Sequence, residues 1–149
     1  MREKVVMLVE DNPDDVVLTQ RAFKKCGFGS RIVVAHDGVE ALDYLLGKNR
    51  GTGHYETALP AVILLDIKMP RMNGIETLKQ IRRHSRTAYL PVVILTSSNE
   101  EEDKLQSYQM GVNSFIRKPI DFDRFLEVSR SLGFYWLSIN ELPGQLEEQ

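Results

Sequence analysis

The residues best placed to do chemistry in this chain are acids that end runs of apolar residues. Ala61-Val62-Ile63-Leu64-Leu65 runs unbroken into Asp66, and Val5-Val6-Met7-Leu8-Val9 runs into Glu10-Asp11. A third run, Val92-Val93-Ile94-Leu95, ends on the hydroxyl of Thr96, and the stretch from Val112 to Ile116 is followed by Arg117-Lys118-Pro119. Carboxylates brought close together repel, and each raises the pKa of the others. A hard divalent cation among their oxygens removes that cost, and Mg2+ suits a few carboxylates completed by water and phosphate oxygens. A carboxylate beside such a cation and an ammonium can attack a phosphoryl group and carry it as an acyl phosphate. On this reading Glu10, Asp11 and Asp66 hold Mg2+ and Asp66 is the nucleophile. Lys118 then pairs with the phosphate oxygens, and Thr96 offers its hydroxyl to the same group. Read singly, each has a plainer account: an acid opening a polar turn, a β-branched strand terminus, a solvated surface lysine.

These side chains meet only if the elements beneath them bring the run ends together. Short continuous apolar runs read as strands buried on both faces. Between them lie helical patterns with recognisable ends. Asn12 and Pro13 start one helix, with Asp14 and Asp15 complementing its dipole, and Gly27 stops it. Asp37-Gly38 caps a second helix, which Gly47 closes. A third spans about Ile75 to His84, and a fourth opens on Glu100 to Asp103 and ends at Gly111. Asp121 caps the last, whose apolar spacing carries through Gly133 to about Ser138, with Gly133 allowing close packing. Lys48 to Leu59 is a polar loop, read as a solvated insertion. Strand and helix alternate five times, which predicts an α/β fold: a flavodoxin-like, doubly wound (βα)5 unit with a five-stranded parallel sheet in the order 2-1-3-4-5. In that order the first and third strands are neighbours, so Glu10, Asp11 and Asp66 share the crevice at the carboxyl edge.

Composition bounds the rest. The chain has 149 residues, 42% hydrophobic and 27% charged, which suits one folded domain, taken as residues 1–140, with a frayed acidic tail over 141–149. A net charge of -2 gives no reason to expect nucleic-acid or membrane binding by bulk charge. No apolar run is long enough to span a bilayer and nothing resembles a signal peptide, so a cytoplasmic location is expected. Cys26 stands alone and is read as a small buried hydrophobe at a helix end.

Taken together, Glu10-Asp11, Asp66-Ile67-Lys68-Met69-Pro70 with Asn73-Gly74, Thr96, and Phe115 with Lys118-Pro119 resemble the motif set of the response-regulator receiver domain of two-component systems. The resemblance spans about residues 4 to 133. It implies a phosphoacceptor signalling domain rather than a turnover enzyme, one that assists its own phosphorylation and dephosphorylation. Asp66 would take phosphate from a histidine kinase. Glu10, Asp11, Asp66 and the backbone carbonyl of Lys68 would hold Mg2+, and Lys118 would contact the phosphoryl group before a cis Lys118-Pro119 bond. Thr96 and Phe115 would be the coupled switch pair; read alone, Phe115 has the plainer account of a strand aromatic. The tail Leu132-Gly133-Phe134-Tyr135-Trp136-Leu137 and the long loop before Pro60 are similar to stand-alone receivers that partner bacterial phytochromes. That similarity implies a phytochrome-type sensor kinase as partner. The aromatic end of the last helix around Trp136 is expected either to mediate a homodimer or to pack within the chain.

Three other classes share parts of this pattern. A flavin-binding module of the same fold needs a Gly-, Ser- or Thr-rich phosphate cradle after the first strand, and the acids from Glu10 to Asp15 oppose one. A phosphatase with an aspartyl nucleophile wants a general acid two residues on, where Lys68 stands. A purely structural adaptor is expected to have lost Asp66 or Lys118, and both are present.

Overall fold

In the computed structural model, residues 4–118 and 121–143 are described. Five strands form one parallel sheet in the order β2-β1-β3-β4-β5, as the alternation predicted. The strands are β1 (Val6–Val9), β2 (Ile32–Ala35), β3 (Val62–Leu65), β4 (Val92–Thr96) and β5 (Ser114–Arg117). The helices are α1 (Pro13–Lys25), α2 (Gly38–Leu46), α3 (Gly74–Arg83), α4 (Glu101–Gln109) and α5 (Phe122–Phe134).

Why the apolar runs are unbroken follows from the two-sided core. Val6, Leu8, Val62, Leu64 and Val93 pack with Phe23 and Leu137 on one face. Met7, Val9, Ile63, Leu65, Val92 and Ile94 pack with Leu45, Leu78 and Ile81 on the other. Both sets of alternating side chains are buried, so neither can be polar. The helix starts use the side chains the sequence offered. Asn12 accepts from the backbone N–H groups of Asp14 and Asp15, Asp37 from Glu40, and Asp121 from Arg124.

The fifth strand begins two residues later than its apolar pattern. Val112 is buried before the strand, and Asn113 starts the pairing, its N–H donating to Val92 O and its side-chain oxygen accepting from Val92 N. The last helix continues past Gly133 as a π-helical turn, Tyr135–Ile139. A side chain at position 133 would collide with the ring of Phe28, so this glycine permits close packing. Trp136 packs inward against the core, while Phe134 and Tyr135 face outward. Residues 144–149, most of the expected tail, lie outside the described residues, as does the peptide bond into Pro119.

One expectation is extended and one corrected. The loop 48–59 is exposed over 49–54, as a solvated insertion is, and is also tied down at residues 48, 55 and 57. Lys48 bridges Tyr55, whose ring centre lies 4.9 Å from the Lys48 ammonium and 3.7 Å from the Arg86 guanidinium, and Arg86 donates to Leu45 O and Thr57 O. Cys26 ends α1 but is half-buried, and its thiol donates to Leu126 O at 3.5 Å. Among the described residues no helix is long and apolar enough to cross a membrane.

Candidate functional site

Strand register builds the site. Val9 pairs with Leu65 across β1 and β3, so the residues that follow, Glu10 and Asp66, leave the sheet side by side. Their backbones stay in the sheet, since Asp66 N donates to Val9 O and Glu10 N donates to Ala35 O. Asp11 turns outward. One oxygen from each of Glu10, Asp11 and Asp66 lies within 4.8 Å of the others. Glu10 is 2% exposed, Asp66 6%, and Asp11 opens to solvent. The donor set is three hard oxygens around one point with an open side, which fits Mg2+ or Mn2+ and not a thiophilic metal.

Electrostatics agree with a site made to hold a cation. Burial pushes the Glu10 carboxyl up to about 7; its hydrogen bond from Lys118 opposes this, and the charge of Asp66 adds to it. Repulsion between the acids, the cause expected from the sequence, is the smaller one. Loss of water is the larger cause. Asp66 accepts from Ile67 N through Oδ1 at 2.8 Å, and Oδ2 has no protein partner among the described residues.

Lys118 reaches the cluster from the other edge. Thr96 pairs with Arg117, and Lys118 N donates to Thr96 O, which aims the next side chain over the carboxyl edge. The ammonium lies 2.8 Å from Glu10 Oε1 and 2.7 Å from Asp15 Oδ2, and the side chain is 14% exposed. Burial alone would lower its pKa. The hydrogen bonds to Asp15 and Glu10 more than reverse this, so it stays charged with a raised pKa. The predicted lysine is therefore in the site, with Asp15 as a partner that the sequence reading assigned only to the helix dipole. Helical phase carried the missing signal: positions 15, 19 and 22 form one stripe, and Thr19 and Ala22 are buried.

Thr96 is fully buried, and its Oγ1 accepts from Ser98 N at 3.2 Å. The hydroxyl proton is left to give. Ser98 donates its own hydroxyl to Asp103 at 2.7 Å, joining the end of β4 to α4. Phe115 sits opposite Ile94 on β5, half-buried against the larger core face.

The loop between β3 and α3 folds back on itself. Gly74 N donates to Ile67 O, and a side chain at position 74 would strike the Asp66 carbonyl. Met72 N donates to Pro70 O around Arg71, whose φ of 63° is left-handed. Its guanidinium meets Asp37 at 2.6 Å and holds that carboxyl below its usual range. This clamp lies behind the loop that bears Lys68. The Lys68 ammonium is 3.9 Å from Glu100, a contact between exposed groups that contributes little. An open cavity of about 650 Å³ beside the site is lined by Asp11, Lys68, Asn73, Lys79 and Glu100 among others.

Known proteins share this fold and much of this sequence. The family model for the response regulator receiver domain matches residues 6–130. The chain is 39% identical over 140 residues to the probable methanogenesis regulatory protein FilR2 of Methanothrix harundinacea, covering 94% of this chain and 88% of that protein. The phosphorylated cyanobacterial phytochrome response regulator RcpA superposes with a TM-score of 0.82 at 31% identity, covering 96% of this chain and all of that one. The Mn2+-bound form of response regulator Rcp1, a protein of Synechocystis sp., gives a TM-score of 0.78 at 30% identity, covering 95% and 99%.

Proposed function

This chain belongs to the response regulator receiver domain family, and from that premise we propose that it is a stand-alone response regulator whose Asp66 accepts a phosphoryl group from a histidine kinase. Receiver domains are signalling domains that bind divalent metal, and related chains include phytochrome response regulators. The observation that carries the finer reading is the convergence of Glu10, Asp11 and Asp66 within 4.8 Å, with the Lys118 ammonium on the same cluster.

Asp66 Oδ2 is the free nucleophilic oxygen, because Ile67 N holds Oδ1. It attacks phosphorus; the new P–O bond forms as the P–N bond to the donor imidazole breaks, and that bond's electron pair returns to the ring nitrogen. Glu10, Asp11 and Asp66, with the Lys68 carbonyl, are the residues to hold Mg2+. Bound there, the cation screens the charge of the incoming phosphoryl oxygens. Lys118 supplies a fixed positive charge to the same oxygens, and Thr96 turns its free hydroxyl proton toward them. That turn breaks the bond from Ser98 N and lets Phe115 take the space Thr96 leaves. The α4–β5–α5 surface then presents a different face to a partner.

The kinase partner is of the phytochrome type, supported by the likeness to RcpA and Rcp1 across nearly the whole chain. Self-association through the end of α5 is supported by the exposed Phe134, Tyr135 and Ile139 beside Trp136. The protein works in the cytoplasm without nucleic acid or membrane, in keeping with its net charge of -2 and the kinase it serves.

The test is incubation with acetyl phosphate and Mg2+ followed by intact-mass measurement. Wild type is expected to gain one phosphoryl group, and Asp66→Asn none. Phosphorylation of the Asp66→Asn variant to the wild-type level would overturn the assignment.

A further inference from the structure

We propose that Asp15 is a positioning residue for Lys118: it holds the ammonium on the α1 side of the site, and a phosphoryl group on Asp66 must draw Lys118 away from it. The inference rests on the phosphoacceptor reading above and adds a competing partner to it.

Three observations place Asp15 in this role. The first is contact: the ammonium of Lys118 makes its two ion pairs with Glu10 at 2.8 Å and Asp15 at 2.7 Å, and Asp66 is not among its ion-pair partners in the described structure. The second is topology. β3, with Asp66 at its end, stands between β1 and the β4–β5 edge from which Lys118 comes. The ammonium is nevertheless held by side chains from the end of β1 and from α1, across β3 from its own strand. The third is separation from the metal. The oxygen cluster that could hold a cation consists of Glu10, Asp11 and Asp66, and Asp15 is outside it. Its neighbour Asp14 is exposed and takes no part.

Glu10 and Asp15 occupy two of the ammonium's three N–H donors, and holding both fixes where the ammonium sits and where the third donor can point. Glu10 is shared with the metal, so its hold on Lys118 weakens when a cation binds. Asp15 has no such second claim and keeps its full attraction. The phosphoryl oxygens must compete with a short charge-assisted hydrogen bond whose carboxylate is about a third exposed. Asp15 thereby sets how strongly the unphosphorylated arrangement is favoured, without touching the nucleophile or the metal.

The test uses the full chain and two probes with opposite expected signs. Beryllofluoride at saturating Mg2+ stands in for the phosphoryl group and is followed by 19F NMR titration. Mn2+ alone is titrated by electron paramagnetic resonance. In Asp15→Asn the competing ion pair becomes a weak neutral contact. Beryllofluoride is expected to bind about tenfold tighter, the worth of one charge-assisted hydrogen bond removed from the competing state. Mn2+ is expected to bind slightly more weakly, because one nearby negative charge is gone. Asp15→Glu, which restores a carboxylate, should move both values back toward wild type. General loosening of the site would weaken both probes in Asp15→Asn, and that result, or unchanged beryllofluoride affinity, overturns the proposal. Asp15→Ser gives the same comparison should the Asn variant fold poorly. A wild type that binds no beryllofluoride at all defeats the phosphoacceptor reading itself, a different failure.

Discussion

The helices α3 and α4 follow neighbouring strands and flank the same site, yet they are held very differently. α3 opens with a reciprocal cap, in which Asn73 accepts from Glu76 N and the Glu76 carboxylate accepts from Asn73 N. It buries Gly74, Ile75, Thr77, Leu78 and Ile81. α4 has no side-chain cap at Glu100, buries only Ser107, and leaves Leu105 54% and Tyr108 51% exposed. Its ties are few: Ser98 to Asp103 at the start, and the Arg82 guanidinium on the Met110 and Gly111 carbonyls at the end. On the function proposed above, the loop before α3 carries the residues that would stay fixed around a cation, Asp66 and Lys68, and the segment before α4 carries those that would move, Thr96 and Ser98. Low local burial is what makes such movement inexpensive.

That contrast can be broken in four ways. The largest effect is expected in the core of α3: Leu78→Ala or Ile81→Ala should cost ~2–5 kcal/mol by urea denaturation, whereas Leu105→Ala on α4 should stay within ~0.5 kcal/mol. Equal losses would abolish the distinction. Next comes Arg82, which donates to Met110 O at 2.7 Å, Leu90 O at 2.8 Å, Gly111 O at 3.0 Å and Ala88 O at 3.2 Å. Arg82→Ala strands these carbonyls and should lower stability by ~1–3 kcal/mol. It should also speed amide exchange at the end of α4 more than in α3.

A third test uses pH on the rigid side. Glu10 has its carboxyl raised from 4.5 to about 7 in the metal-free fold, chiefly by burial. The folded chain then binds a proton that the unfolded chain releases, so this group's stabilising contribution is complete below 4.5 and is lost as pH rises through about 7. Metal binding has the opposite sign, because it needs the carboxylate: Mn2+ affinity should climb with pH up to about 7 and level off above it. Urea denaturation of the metal-free protein and Mn2+ titration across this window check both signs, and a flat pair of profiles would count against the buried acid. The smallest effect is expected from Ser98→Ala. It removes one hydrogen bond to Asp103 and should cost ~0.5–1.5 kcal/mol at most, with faster hydrogen exchange confined to the first turn of α4.

Much of this was legible in the chain itself. The unbroken runs at Val6–Val9 and Val62–Leu65 could only be strands buried on both faces, because alternation is absent where both sides meet helices. Once those strands are neighbours, Glu10 and Asp66 must emerge together, and the cluster with Asp11 follows from register alone. Caps at Asn12, Asp37 and Asp121 were readable for the same local reason: each side chain binds backbone two or three residues away.

What depended on tertiary structure involves long side chains and irregular backbone. Lys118 could have met several acids; only the packed site shows that it takes Asp15 with Glu10, and that the stripe through Thr19 and Ala22 turns Asp15 inward while Asp14 faces water. The pairing of Arg71 with Asp37 and the contact of the Tyr55 ring with the Arg86 guanidinium join segments far apart in sequence. Periodicity reports which way a residue faces within its own element, so it fixes strands, helix faces and the acids at a strand end. It carries no information on how far a flexible chain reaches or which partner lies across a loop, and those choices were made only when the elements packed.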